Sequence, residues 1–297
     1  MRLLLFGGTG QVGQELRSLA LPQDVELVAP SRDQLSLDDS HAIARIIEEE
    51  SWSAVINAAA YTDVDRAESE ESSAFAVNAE APSRLAAETG CRGIPLIHIS
   101  TDYVFDGRKG APYVECDTVA PLNVYGRSKL AGEHAVRAAN PQYIIIRTSW
   151  VYSPFRKNFV KTILRLAKER DRLSVVADQR GCPTAARDVA RACLEIALRC
   201  ALKPRQVVHG IYHFAGAGET TWFELASAVV EVAADRLGRS PQIVPIKTSE
   251  YPTPAVRAAD TRLDCAAIVR EFGVTPLPWR QALTETIDRL LINKDVS

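Results

Sequence analysis

The chain has 297 residues, 46% of them apolar and 24% charged, a length that suits one large domain or two fused lobes. Its 35 Lys and Arg against 37 Asp and Glu leave a formal net charge of −2, with no basic excess to neutralise a nucleic-acid backbone. No apolar run reaches the roughly 18 residues of a membrane span, the opening RLLLF is too short for a signal-peptide core, and six cysteines without a CxxC pair fit neither a disulfide scaffold nor a zinc site. Nucleic-acid and membrane partners are therefore not expected, and a reducing, cytoplasmic setting is.

Short apolar runs bounded by Gly, Pro or polar residues predict strands at 3–6, 25–29, 54–57, 94–99 and 143–147. Helical patterns fall between them at 11–19, 40–50, 73–89 and 128–139, the second carrying Ile43, Ile46 and Ile47 on one face. Strand–helix alternation implies parallel pairing with right-handed crossovers, hence an α/β fold with a doubly wound, Rossmann-type parallel sheet. Beyond about residue 150 the rhythm loosens. Helices are expected at 159–169, 187–199, 222–237, 263–272 and 279–291, strands at 173–177 and 211–214, and a Pro-containing connection at 245–254. This predicts a dinucleotide-binding domain over 1–152, with parts of 182–215 returning to it, and a smaller interleaved substrate lobe built from 153–181 and 216–297.

The first strand runs into GGTGQVG (7–13), which opens the first helix. A dinucleotide pyrophosphate needs backbone N–H donors at a helix N-terminus and no side chain in its way. Gly7 permits the tight turn, Gly10 lets backbone approach the phosphates, and Gly13 lets the helix pack on the sheet, with Gln11 and Val12 inside the turn. Ser31 and Arg32 follow the second strand, where an acid would grip the 2′-hydroxyl of NAD. An Arg there suits the 2′-phosphate of NADP, so NADPH is the expected cofactor, with NADH left open by Asp33 beside it.

Tyr125 and Lys129 stand four residues apart in YGRSK, one above the other if the helix at 128–139 extends back to Tyr125. A free phenol titrates near pH 10. A cation about 4 Å away favours the phenolate by up to about 4 kcal/mol at an effective dielectric of 20, before desolvation takes its part. The pair thus predicts a positioned general acid. Thr101 ends the fourth strand, at the edge where open α/β sheets bind ligands, and its hydroxyl can hold a substrate oxygen beside the phenol.

These segments are similar to the extended short-chain dehydrogenase/reductase family, and within it to reductases of nucleotide-linked 4-keto-6-deoxysugars. The resemblance is carried by GGTGQVGQEL (7–16), VINAAAYTDVDRAE (55–68), ISTDYVFDG (99–107), PLNVYGRSKLAGE (121–133), RTSWVY (147–152) and YPTPA (251–255). It implies hydride transfer from NADPH to C4 of a dTDP-4-keto-6-deoxysugar. It further implies Tyr125 as proton donor, Lys129 as its partner and nicotinamide-ribose contact, and Thr101 as the hydroxyl that tunes the Tyr–substrate bond. Ala58, Ala59 and Ala60 would pass beneath the cofactor; Thr101, Asp102, Asn123, Tyr125 and Trp150 would face the dTDP-sugar. An acid that contacts adenosine in relatives is replaced in Leu35-Ser36-Leu37-Asp38, with Ser36 at its place. Some relatives dimerise around a magnesium ion. Glu15 matches one of its ligands, but Arg187 stands where another acid is expected, so a homodimer, if formed, is expected without bridging Mg²⁺ and no metal is assigned. An epimerase or dehydratase of the same fold, and a non-catalytic NADP-binding subunit, remain as alternatives.

Overall fold

A computed structural model describes residues 1–37, 39–48, 50–238 and 240–292. Asp38 of the 35–38 run, Glu49 of the expected second helix, Arg239, and 293–297 of the expected second lobe lie outside the described residues. The first half holds β1 (Arg2–Phe6), α1 (Gln11–Arg17), β2 (Glu26–Val28), α2 (Ser40–Glu48), β3 (Ala54–Asn57), α3 (Val64–Ala67), α4 (Glu71–Phe75), a π-helical turn (Ala76–Glu80), α5 (Ala81–Cys91), β4 (Leu96–Thr101), a 3₁₀ turn (Asp102–Val104), α6 (Val124–Ala139) and β5 (Tyr143–Thr148). The second half holds β6 (Val151–Tyr152), α7 (Phe159–Glu169), β7 (Arg172–Val176), β8 (Arg180–Gly181), β9 (Thr184–Ala185), α8 (Ala186–Leu202), β10 (Gly210–His213), β11 (Thr220–Thr221), α9 (Trp222–Leu237), β12 (Gln242–Ile246), α10 (Ala266–Phe272) and α11 (Trp279–Ile292).

Six strands form one sheet in the order β2-β1-β3-β4-β5-β10, every pairing parallel. The strands are apolar on both faces because helices cover both. Leu3, Leu5, Ile56, Ile97, Ile144 and Ile146 point to the layer of α1, α8 and α10, where Leu16, Val189, Ala192, Ile268 and Phe272 meet them. The alternate residues Leu4, Phe6, Val55, Leu96 and Ile145 meet Ile43, Ile47, Leu85 and Val136 of α2, α5 and α6. The period of two along each strand thus builds two cores from one sheet.

A separate core unites α7, α9, α11 and the parallel pair β7 and β12, with Val160, Leu173, Leu225, Val229 and Leu283 buried in it. The connection expected to begin at Pro245 starts later: Pro245 lies within β12 opposite Val175. Its missing N–H is tolerated because this sheet has only two strands and Pro245 is exposed. Ile268, Phe272 and Val274, from the 216–297 stretch, pack into the sheet layer. In the main sheet the chain moves from β1 to β2 on one side and returns to β3 on the other. The crevice beyond the carboxyl ends of β1 and β3 is therefore the reversal point at which such sheets bind ligands.

Candidate active site

At that reversal point the glycine turn meets the segment after β3. Gly7 has φ +82°, and a Cβ there would lie 2.5 Å from the Ala59 backbone nitrogen, so only glycine both turns and fits. A Cβ on Gly13 would come within 2.1 Å of the Gly7 carbonyl oxygen, which is how α1 docks so closely on the turn. The helix starts at Gly10 with no side-chain cap and no acid in its first turn. Its first N–H groups therefore have neither an intrahelical nor a capping partner, and Val12 sends its side chain inward to the core. These features fit a dinucleotide pyrophosphate: a positive helix end, backbone donors and no obstructing Cβ. Ala58 is held by its N–H to the Phe6 carbonyl (3.0 Å), and Ala58, Ala59 and Ala60 are all half-buried beside the turn. Ser31 is tied into a local turn, its N–H bonding Gln34 Oε1 at 2.9 Å, whereas Arg32 is exposed. Gln11 bridges to the second lobe: it donates to the Val151 carbonyl (3.3 Å) and accepts from Ser153 and Asn158 (3.0 Å each).

The second group gathers where β4 ends against α6. Helix α6 begins at Val124, so Tyr125 and Lys129 share a face as the spacing predicts. Asn123 caps it, accepting from the Gly126 N–H at 2.8 Å, and donates to the Val256 carbonyl at 2.8 Å. Its amide is thus committed to the fold on both sides, which leaves its expected substrate-side N–H already engaged. Gly126 lets the helix start press onto the 3₁₀ turn, since a Cβ there would lie 2.3 Å from the Tyr103 carbonyl oxygen. One turn after Lys129, Glu133 forms a buried fork with Arg147 of β5 (2.9 and 2.7 Å) and accepts from Ser100 of β4 at 2.6 Å. This fixes α6 against the sheet.

Thr101 is buried at the strand end; its hydroxyl donates to Asp102 at 3.1 Å and accepts from the Tyr103 N–H at 3.2 Å. Tyr125 is 9% exposed, and the Tyr103 ring packs edge-on against it at 5.3 Å. Burial pushes the Tyr125 phenol well above its ordinary range, opposed by the adjacent Thr101 hydroxyl and reinforced by the Asp102 charge. This corrects the expectation that Lys129 lowers it. Desolvation wins, and the Lys129 amine turns instead to the Ile99 carbonyl (2.7 Å) and His98 Nε2 (3.5 Å). Lys129 itself is fully buried, and desolvation brings it down to about 8, against a raising contribution from Glu133. Burial lifts Asp102 to about 6, partly offset by the hydroxyls of Thr261 and Thr101. The site is therefore a neutral phenol in a buried recess, with hydroxyl and carboxyl groups beside it.

Next to this group, reached through Tyr103 and Asn123 rather than through Thr101 or Tyr125, lies a narrow cleft between sheet and second lobe, with room for about 10 Å³, roughly one water. Trp150 lines it in a left-handed conformation (φ 48°), its ring stacked on Trp222 at 3.6 Å. Tyr103, Gln179 and Trp222 also line it and were not singled out in the sequence, and Arg257 and Thr261 join them from the run after YPTPA, which departs from the pattern of the resembled family. The fold places Arg257, two residues beyond YPTPA, at the cleft, forked onto Asp65 of α3 at 3.0 and 2.8 Å. Away from the cleft, Glu15 is 1% exposed and is met by Arg289 at 2.8 Å and Arg187 at 4.0 Å.

A sheet that reverses at a glycine turn and ends on a buried Thr–Tyr pair is the frame of a dinucleotide-dependent oxidoreductase. The family described as the RmlD substrate binding domain matches residues 1–292, and the chain belongs to it. A dTDP-4-dehydrorhamnose reductase of Sinorhizobium fredii is 44% identical over 292 residues, 98% of each chain. The crystal structure of a dTDP-4-dehydrorhamnose reductase from Clostridium acetobutylicum superposes with a TM-score of 0.89 at 34% identity, covering 98% of this chain and 99% of that one. The Bacillus anthracis dTDP-4-dehydrorhamnose reductase in complex with NADP also gives 0.89, at 32% identity over 97% and 99% of the two chains.

Proposed function

We propose that this chain uses NADPH to reduce the C4 keto group of dTDP-4-dehydro-6-deoxy-L-mannose (dTDP-4-dehydro-L-rhamnose), giving dTDP-L-rhamnose. The observation that carries the reading is the buried Tyr125 phenol beside Thr101, at the same carboxyl edge of the parallel sheet as the glycine turn. The cofactor, when bound along residues 7–13 and 58–60, supplies the hydride. Thr101 and Tyr125 hold the ketone oxygen, and Asp102 and Trp150 bound the sugar. As charge develops on that oxygen, Tyr125 donates its proton; an alkoxide is the stronger base, so a phenol kept neutral by burial is the correct starting state. Arg32, exposed after β2, is available to the 2′-phosphate of NADPH. The sheet domain carries the cofactor and the second lobe closes over the nucleotide-sugar.

No helix among the described residues is long and apolar enough to cross a membrane, and six free cysteines suit a cytoplasmic setting. If the chain forms a homodimer, we propose that it does so without a bridging metal, because the Glu15 carboxylate is already neutralised by Arg289 and Arg187. The test of the function is NADPH oxidation, followed by its absorbance, on the 3,5-epimerised keto sugar with each coenzyme in turn. One NADPH consumed per sugar is expected. Sugar turnover with the nicotinamide unchanged would instead mean an epimerase or dehydratase.

A further inference from the structure

The Trp150 indole is held on both faces, which leaves no place for the sugar it is proposed to meet. A Cβ on Gly181 would lie closest to Cε2 of that ring and 2.7 Å from both Cζ2 and Nε1, the pattern of an approach over the ring face rather than at its edge. Trp222 then covers the other face, its ring 3.6 Å away and within 8° of parallel. The two walls share one ladder: Gly181 of β8 pairs with Thr220 of β11, and Trp222 opens α9 two residues later. The slot between them is one ring thick. Of the three groups, only Trp222 is free to leave. Gly181 is buried backbone in a strand pair. Trp150 sits at φ 48°, an uncommon conformation for a non-glycine residue. Its carbonyl accepts from the Thr184 N–H at 3.3 Å, and the β6–β9 pairing follows at once. The backbone of Trp222 is fixed by the Thr221–Glu224 capping box, but its ring is half-buried and meets Phe159 at a tilt of 51°, 4.6 Å between centroids. Two side-chain torsions suffice to swing it outward.

We propose that Trp222 is a gate on the sugar subsite: its indole occupies the open face of Trp150 in the sugar-free enzyme and yields that face to the sugar ring. The C–H bonds and methyl group of a 6-deoxysugar can take the place of an indole there. The cleft, with room for about one water, admits no hexose until the ring has left. A nucleoside diphosphate without sugar brings nothing to that face and leaves the stack closed. The inference rests on the reductase reading, since that reading puts a sugar at Trp150.

In NADP⁺-saturated protein deuterated except at its four tryptophans, NOEs between the Trp150 and Trp222 rings, assigned through Trp222→Phe, are expected before sugar is added. Saturating dTDP should leave them in place, and saturating dTDP-L-rhamnose should abolish them. Trp222→Leu removes the occupant. Its Kd for dTDP-L-rhamnose, measured by calorimetry, should fall about 2- to 10-fold, the worth of one aromatic stack, with Kd for dTDP unchanged. Trp222→Phe, which still stacks, should lie between Trp222→Leu and wild type. Inter-ring NOEs that survive bound dTDP-L-rhamnose overturn the gate, as does an unchanged or weaker Kd in a folded Trp222→Leu protein. Should that variant fail to fold, the wild-type NOEs decide. If dTDP-L-rhamnose does not bind the wild type at all, the functional reading falls and the gate with it, whereas binding with the stack intact removes the gate alone.

Discussion

At the scale of single residues, the site is governed by desolvation. Tyr125 is the clearest case: its neighbours keep the proton on, and its proposed work is to release that proton only to an alkoxide. Tyr125→Phe preserves the ring packed against Tyr103 and removes the donor. It should lower kcat by at least ~100-fold while NADPH affinity, measured by fluorescence titration, stays within a few-fold of wild type. Asp102 makes a second, signed prediction. Its carboxyl is lifted from an ordinary 3.8 to about 6 by burial, and one of its oxygens has no hydrogen-bond partner. The folded state therefore holds this proton more tightly than the unfolded chain does. That contribution to stability is full below about pH 4 and is lost as pH rises through about 6. Asp102→Asn escapes the penalty. Its unfolding free energy should match wild type near pH 4 and exceed it by up to about 3 kcal/mol above pH 6, at the expense of activity if the carboxylate meets the sugar. Denaturant titrations at both pH values check this; an advantage independent of pH would mean that folding does not shift the Asp102 carboxyl.

At the scale of elements, α6 carries the site and is held by a buried charge pair. Arg147 and Glu133 have side chains 3% and 1% exposed, so removing one leaves the other desolvated and alone. Glu133→Ala should lower stability by about 3–5 kcal/mol with the denaturant slope unchanged, whereas breaking the exposed Arg165–Glu169 pair should change little. The placement of Tyr125 and Lys129 was legible because both lie on one local stretch, and the glycine turn because its residues are consecutive. The helix at 73–89 was only partly legible. It is interrupted by the π-turn at Ala76–Glu80, and Pro82 explains why: with no N–H, it cannot bond the Asn78 carbonyl one turn back. The opened turn lets Asn78 bond the Tyr61 N–H (2.9 Å), the Tyr61 carbonyl (3.0 Å) and Ser128 (3.0 Å). Apolar periodicity does not register such an exchange of backbone for side-chain bonds.

At the scale of the whole molecule, the cleft is made by residues that are distant in sequence, which is why motif reading missed most of it. Trp222, Gln179 and Arg257 acquire their meaning only when the second lobe is laid against α3 and α6. Arg257 is central to that closure. Its guanidinium forks onto Asp65 and donates to Thr253 at 2.6 Å, the Ala255 N–H reaches the same carboxylate at 3.2 Å, and Asn123 takes the next carbonyl along the loop. Among the described residues lining the cleft it is also the only cation. A nucleotide-sugar brings a diphosphate, and although Asp65 takes the fork of Arg257, the guanidinium edge not engaged there is the cationic donor the cleft offers it. Arg257→Ala should therefore raise KM for the sugar nucleotide by ~10-fold or more, the worth of one charge-assisted hydrogen bond, with KM for NADPH unchanged. Arg257→Lys should recover only part of the loss, because an ammonium cannot reproduce the fork. Equal falls in kcat and kcat/KM with an unaltered KM would point to another role: Arg257, whose guanidinium also meets the Tyr103 hydroxyl, would then act by holding Tyr103 against Tyr125, and its contribution would be realised only in the transition state.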